Sequence, residues 1–208
     1  MLHSRVKNYE AGNIKYHEAQ WKNLTSDKFI IDIITHGLKL NFSQQPSEKN
    51  PFEYKRPDQE FQIIDLEIKK LMAKGVISIS PIEPGDYFSN LFTTPKKDGT
   101  FRTILNLKQL NLECETYHFK MESLKQAIHM VKPYSYLASI DIKDAFYSVP
   151  VHDSHKKYLK FMWVGIPYKF NVMPNGYLDA MRVFTKQTAQ THFFQPQATG
   201  VYIGNICR

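Results

Sequence analysis

Between Tyr136 and Pro150 the chain reads YLASIDIKDAFYSVP. A short apolar stretch ends on Asp141, a second carboxylate follows at Asp144, and Phe146, Tyr147 and Pro150 come next. An apolar strand that delivers an Asp at its end places that charge at a sheet edge, where it can reach a ligand. A chain carrying this segment has to build around at least one sheet with a chemically loaded end.

The pattern on either side mixes helices and strands. Leu24-Thr25-Ser26-Asp27 precedes an apolar run through Ile34, with Gly37 ending it, so a short helix capped by Ser26 or Asp27 is expected. Residues 41–56, rich in Ser, Gln, Asn and Pro, read as an extended connector. From Pro57-Asp58, Phe61, Ile64, Ile68, Leu71 and Met72 recur at helical spacing, and Gly75 sits where a C-cap belongs. Val76–Ile79 is strand-like. Asn90–Thr94 and Arg102–Leu107 flank Lys97-Asp98-Gly99-Thr100, a hairpin signal. A second helix is expected over Met121–Val131, followed by the strand to Asp141. Two β-prone runs, Tyr158–Val164 and Pro167–Met173, join at Gly165, and a third helix is expected from near Gly176 to about Gln190. Strict βαβ alternation is missing, so the fold class reads as α+β.

With 208 residues, 42% of them hydrophobic, the chain can bury a substantial core. The 12 Tyr and 14 Phe suit packing and also base stacking. Net charge is +7 and the pI about 9.2, a balance that favours a polyanionic partner, although the charge is spread rather than gathered in one run. Cys114 and Cys207 have no metal spacing and form no disulfide framework, which makes a reducing compartment the default. No apolar run approaches membrane-spanning length, and Met1–Arg5 opens no signal-peptide core. The expected location is therefore intracellular, in cytoplasm or nucleus.

Taken in order, the segments from 58 to 186 resemble the fingers and palm of reverse transcriptases, RNA-directed DNA polymerases with a right-hand architecture; 187–208 match poorly. Asp141 stands at the family's first metal-binding aspartate, which makes it the catalytic and metal residue the resemblance implies. Phosphoryl transfer of this kind needs little covalent help from protein; it needs divalent cations held by carboxylates, with Mg²⁺ suited to hard oxygen ligands. The resemblance implies nucleotide contacts from Lys96, Lys97 and Arg102 on the fingers hairpin, where cations can close over a triphosphate. Asp144 and Ala145 would lie near the phosphates, Phe146 beneath the sugar, and Asn175 of Met173-Pro174-Asn175-Gly176-Tyr177 against the incoming nucleotide. Many members carry Gln at the Asn175 position, and Met181 stands where Pro is frequent. The implied partners are an RNA or DNA template-primer and a deoxynucleoside triphosphate.

The last motif departs from the family. Where an aromatic, any residue and two aspartates are usual, the chain reads Tyr202-Ile203-Gly204-Asn205. A unit charge pair at about 4 Å contributes about 4 kcal/mol at an effective dielectric near 20, and roughly twice that for a divalent ion. Losing both carboxylates costs several kcal/mol of metal binding, a rate loss on the order of a thousandfold. The expectation is a polymerase lineage that is catalytically dead as the chain stands, with no thumb after Arg208. Domain organisation follows as 1–57, an N-terminal extension and linker, then 58–208, fingers and partial palm. Within the first part, Gln20–Asp27 and Thr35–Phe42 resemble the segment ahead of the polymerase in tyrosine-recombinase retrotransposons of the DIRS type, which implies a truncated copy from a mobile element. The alternatives are a non-catalytic nucleic-acid-binding remnant and a gene-model fragment without function.

Overall fold

A computed structural model describes residues 9–95, 101–120, 129 and 142–188, with Arg102 described in its backbone. The first helices are α1 (Glu18–Leu24), reached through a 3-10 turn at Asn13–His17, and α2 (Lys28–His36). Of the two candidate caps, Asp27 is the one used: its Oδ1 accepts from the N–H of Phe29 at 2.9 Å and of Ile30 at 3.3 Å. Ile30, Ile33 and Ile34 form the buried stripe, and Gly37 (φ 90°) ends the helix by donating to the Ile33 carbonyl at 2.9 Å.

Helix α3 (Asp58–Ala73) follows the connector. It stops in a Schellman motif: the N–H of Gly75 (φ 72°) reaches the Met72 carbonyl and that of Val76 reaches the Leu71 carbonyl, each at 2.9 Å. Ile64, Ile68 and Leu71 are buried, each such side chain contributing about 1.5–3 kcal/mol. Phe61 and Met72, expected on the same face, are exposed instead, because the covered stripe is narrow; Phe61 stacks on Trp163 at 4.8 Å from the rim.

Strand β1 (Ile77–Ile79) enters a three-stranded antiparallel sheet of order β1-β5-β4, with β4 (Lys160–Trp163) and β5 (Ile166–Phe170) joined by a tight turn. The register pairs Ile77 with Phe170 and Trp163 with Ile166. At the turn both Val164 (φ 51°) and Gly165 (φ 69°) are left-handed, the conformation two-residue hairpins require. Glu53 of the connector accepts from both amides, at 2.6 and 3.2 Å, which holds the β-branched Val164 there. The expected hairpin is β2 (Leu91–Pro95) with β3 (Phe101–Leu105), in register from Leu91–Leu105 to Pro95–Phe101. A short helix, α4 (Lys108–Leu112), follows it.

The last described helix, α5, is Ala180–Thr188. It begins later than the expected Gly176, because Asn111 holds 176–178 as a loop: its Nδ2 donates to the Gly176 carbonyl at 2.8 Å and its Oδ1 accepts from Leu178 N–H at 3.0 Å. Apart from His129, the helix expected over 121–131 falls outside the described residues, as does the strand to Asp141. Elements and connections share one core, running from Ala11, Ile14 and Ile30 through Ile64 and Leu105 to Phe161, Val183 and Phe184. The segment read as extension and linker thus packs into the same core as the rest. Its Leu38 bridges Val151 in parallel, and its Phe42 pairs with Cys114. The architecture is α+β.

Candidate nucleotide-binding turn

Residues Ala145–Ser148 form a 3-10 turn entered through Asp144, a non-glycine residue in the left-handed region (φ 55°, ψ 34°). The N–H of Tyr147 closes on the Asp144 carbonyl at 2.9 Å and that of Val149 on the Phe146 carbonyl at 3.2 Å. An Asp tolerates this backbone at some cost, so surrounding contacts must hold it. Those contacts are present. The Asp144 carboxylate meets the Lys74 ammonium at 2.6 Å, and its carbonyl accepts from the Tyr9 hydroxyl at 3.3 Å.

Phe146, Tyr147 and Asn175 meet at the same turn. Phe146 is half-buried and meets Phe184 of α5 edge-on, with ring centroids 5.8 Å apart. Tyr147 is buried beside it, and its hydroxyl accepts from Asn175 Nδ2 at 3.2 Å. Asn175 sits on the loop after β5, one residue before Gly176 (φ 98°), where an added Cβ would lie 3.1 Å from the Leu105 carbonyl oxygen of β3. The β2–β3 hairpin therefore abuts the loop that carries Asn175. Just behind, Met173 N–H donates to the Val149 carbonyl at 2.9 Å, and Pro150 pairs with Val172, tying turn and loop into one unit.

Asp144, Ala145, Phe146 and Asn175 are thus brought together. Arg102 lies on β3 opposite Thr94. Asp141, Lys96, Lys97, Gly204 and Asn205 lie outside the described residues. Sequence reasoning missed Tyr9, Lys74 and Tyr147, whose partners lie 28 to 135 residues away along the chain, beyond the reach of any motif.

Among the described residues no group of three or more His, Cys, Asp or Glu side chains could hold a metal ion. Asp144 is committed to Lys74, and Asp179 to Arg182, which accounts for the upward shift of the Arg182 guanidinium. The described carboxylates do not fit a divalent-ion site. The Cys114 thiol is no reactive nucleophile, because burial pushes its pKa up to about 11.

No family model matches the chain. Two solved structures resemble it in fold. One is the crystal structure of prototype foamy virus protease-reverse transcriptase, with a TM-score of 0.59 and 18% identity over 76% of this chain and 21% of that one. The other is the foamy viral protease-reverse transcriptase in complex with dsDNA, with a TM-score of 0.60 and 15% identity over 92% of this chain and 44% of that one. The chain spans less than half the length of either, and at these identities the likeness establishes a reverse-transcriptase-like fold.

Proposed function

We propose that this chain is a reverse-transcriptase-like domain of a mobile element, of the DIRS type, that binds template-primer and nucleotide without extending the primer. The observation that carries the reading is the convergence of the Asp144–Tyr147 turn, Asn175 and the fingers hairpin within a reverse-transcriptase-like fold. In this reading the Phe146 ring lies beneath the sugar, Asn175 faces the incoming nucleotide, and Arg102 with Lys96 and Lys97 grips phosphate. The duplex-bound state of one structural neighbour supports a nucleic-acid partner. Asp141 is the carboxylate assigned to Mg²⁺, and Gly204 and Asn205 stand in place of the acid pair that would complete the site. A division into an N-terminal extension and linker, 1–57, and a fingers and partial-palm part, 58–208, built on one shared core, and a location in cytoplasm or nucleus belong to the same reading.

The test combines binding and extension on the intact chain. Affinity for a fluorescein-labelled primer-template should fall steeply between about 50 and about 300 mM salt, and Arg102→Ala should flatten the log-log slope by about one unit. No primer extension should appear. Salt-independent affinity would overturn the binding half of the proposal. Extension that disappears with Asp141→Asn would overturn the claim of inactivity.

A further inference from the structure

The 144–147 turn carries Asp144 and Phe146, and it is held by segments far from it in sequence. Three hydrogen bonds and one ion pair do this. Tyr9 donates its hydroxyl to the Asp144 carbonyl at 3.3 Å. The Gly12 N–H donates to the Tyr147 carbonyl at 2.7 Å, and the Ala11 N–H to the Lys74 carbonyl at 3.0 Å. Lys74 closes the set by reaching the Asp144 carboxylate at 2.6 Å, with its ammonium 5.7 Å from the Tyr9 ring centre. Both ends of the turn are therefore pinned by the 9–12 segment and by the residue at the C-terminal cap of α3.

We propose that Lys74 and Tyr9 are positioning residues for the nucleotide-binding turn: together they hold Asp144 in its left-handed conformation, and Lys74 neutralises a carboxylate that would otherwise face polyphosphate. This rests on the nucleotide reading of the turn given above. A negative charge beside a bound triphosphate repels it, and in a partly desolvated site that repulsion exceeds its value in water. The ammonium, 2.6 Å from the carboxylate, offsets that charge. Tyr9 is suited to its part because burial and the nearby Asp144 charge push its phenol well above the usual range, so it remains a donor. A left-handed non-glycine residue persists only where its surroundings over-determine it, and these contacts supply that constraint.

The experiment measures amide hydrogen exchange of the full chain in Lys74→Met, Lys74→Arg and Tyr9→Phe, beside binding of a fluorescent N-methylanthraniloyl dATP. In Lys74→Met the amides of Tyr147 and Val149 should exchange at least about tenfold faster, while those of the β4–β5 ladder keep their rates. Lys74→Arg, which keeps the charge, should stay within about twofold of the parent. Affinity for the analogue should fall about threefold to tenfold in Lys74→Met, and adding Asp144→Asn should return most of it, since the uncovered charge is then gone. Unchanged exchange at Tyr147 and Val149 overturns the inference whatever the nucleotide does. Exchange that rises equally across the β4–β5 ladder reduces Lys74 to a general stabiliser and overturns it too. If the parent chain fails to bind the analogue, the nucleotide reading fails by itself, and the exchange measurement still decides the positioning role.

Discussion

The Lys160 ammonium and the Asp86 carboxylate lie 2.6 Å apart with 2% of either side chain exposed. Lys160 also donates to the Pro81 carbonyl at 2.7 Å, and Asp86 accepts from the Glu83 N–H at 2.7 Å, so the pair staples the 81–86 loop onto β4. Removing one partner strands the other charge in the core. Lys160→Met should therefore lose about 3–5 kcal/mol, while Lys160→Met combined with Asp86→Asn should lose clearly less. Urea unfolding of the two variants decides it; equal losses would mean that packing, rather than charge, sets the cost.

His155 makes stability depend on pH in a definite direction. Its Nδ1 accepts from the Leu40 N–H at 3.1 Å, which requires a ring unprotonated at that nitrogen. The ring stacks on Phe42 and meets Tyr158 and His152 edge-on. Burial lowers its pKa, and the charges of His152, Lys39 and Lys157 lower it further. Because the folded-state pKa lies below the unfolded value of about 6.5, the unfolded chain binds the proton more readily. The stabilisation is complete above about pH 6.5 and is lost as pH falls through the folded pKa. Melting temperatures from about pH 7.5 to about pH 5 should drop more in the parent than in His155→Gln. Parallel curves would show that the Leu40 contact is not the titrating element.

Much of the scaffold was legible in sequence because the signals were local. Asp27 before an apolar run, Gly37 after it, the i, i+4 series Ile64–Ile68 and the Gly75 stop each act within a few residues, and each appears where spacing put it. The helix start at Gly176 was misread because Asn111, 65 residues earlier in the chain, holds that loop open. Helix α1 and the 3-10 turns carry too little periodicity to announce themselves. At the candidate site the sequence supplied Asp144, Phe146 and Asn175, which sit inside recognisable runs. It could not supply Lys74 or Tyr9, whose meaning depends on where the chain returns.

Asp27 does two jobs that substitution can separate. Its Oδ1 caps α2, and its Oδ2 meets Lys186 of α5 at 3.1 Å, above the Phe29 ring. Asp27→Ala should cost about 1–2 kcal/mol through the lost cap. Asp27→Asn keeps an acceptor for the cap and should cost under about 1 kcal/mol, the worth of a partly exposed ion pair. Chemical denaturation in low and high salt distinguishes them, since only the ion-pair part should fade as salt rises.

Gly37 and Gly75 both end helices at positive φ, yet they should respond differently to a methyl group. At Gly75 (φ 72°) an added Cβ meets nothing within 4 Å. Gly75→Ala therefore pays only for the left-handed backbone, about 1–2 kcal/mol. At Gly37 (φ 90°) the same atom would lie 2.6 Å from His152 N and 2.7 Å from the Val151 carbonyl carbon. Those are backbone atoms of a segment that cannot swing aside. Leu38 is bonded to it on both sides, its N–H to the Pro150 carbonyl at 2.8 Å and its carbonyl to the His152 N–H at 3.0 Å. Gly37→Ala must push the two bridged segments apart and loosen both bonds, so its cost should exceed that of Gly75→Ala by at least about 1–2 kcal/mol. The disturbance should also travel, because Pro150 and Val151 continue directly from the 145–148 turn. Faster amide exchange at Leu38 and His152 in Gly37→Ala, and not in Gly75→Ala, is the expected signature. Equal stability losses with no local change in exchange would mean that the N-terminal segment is not held against residues 150–152 as closely as its packing requires.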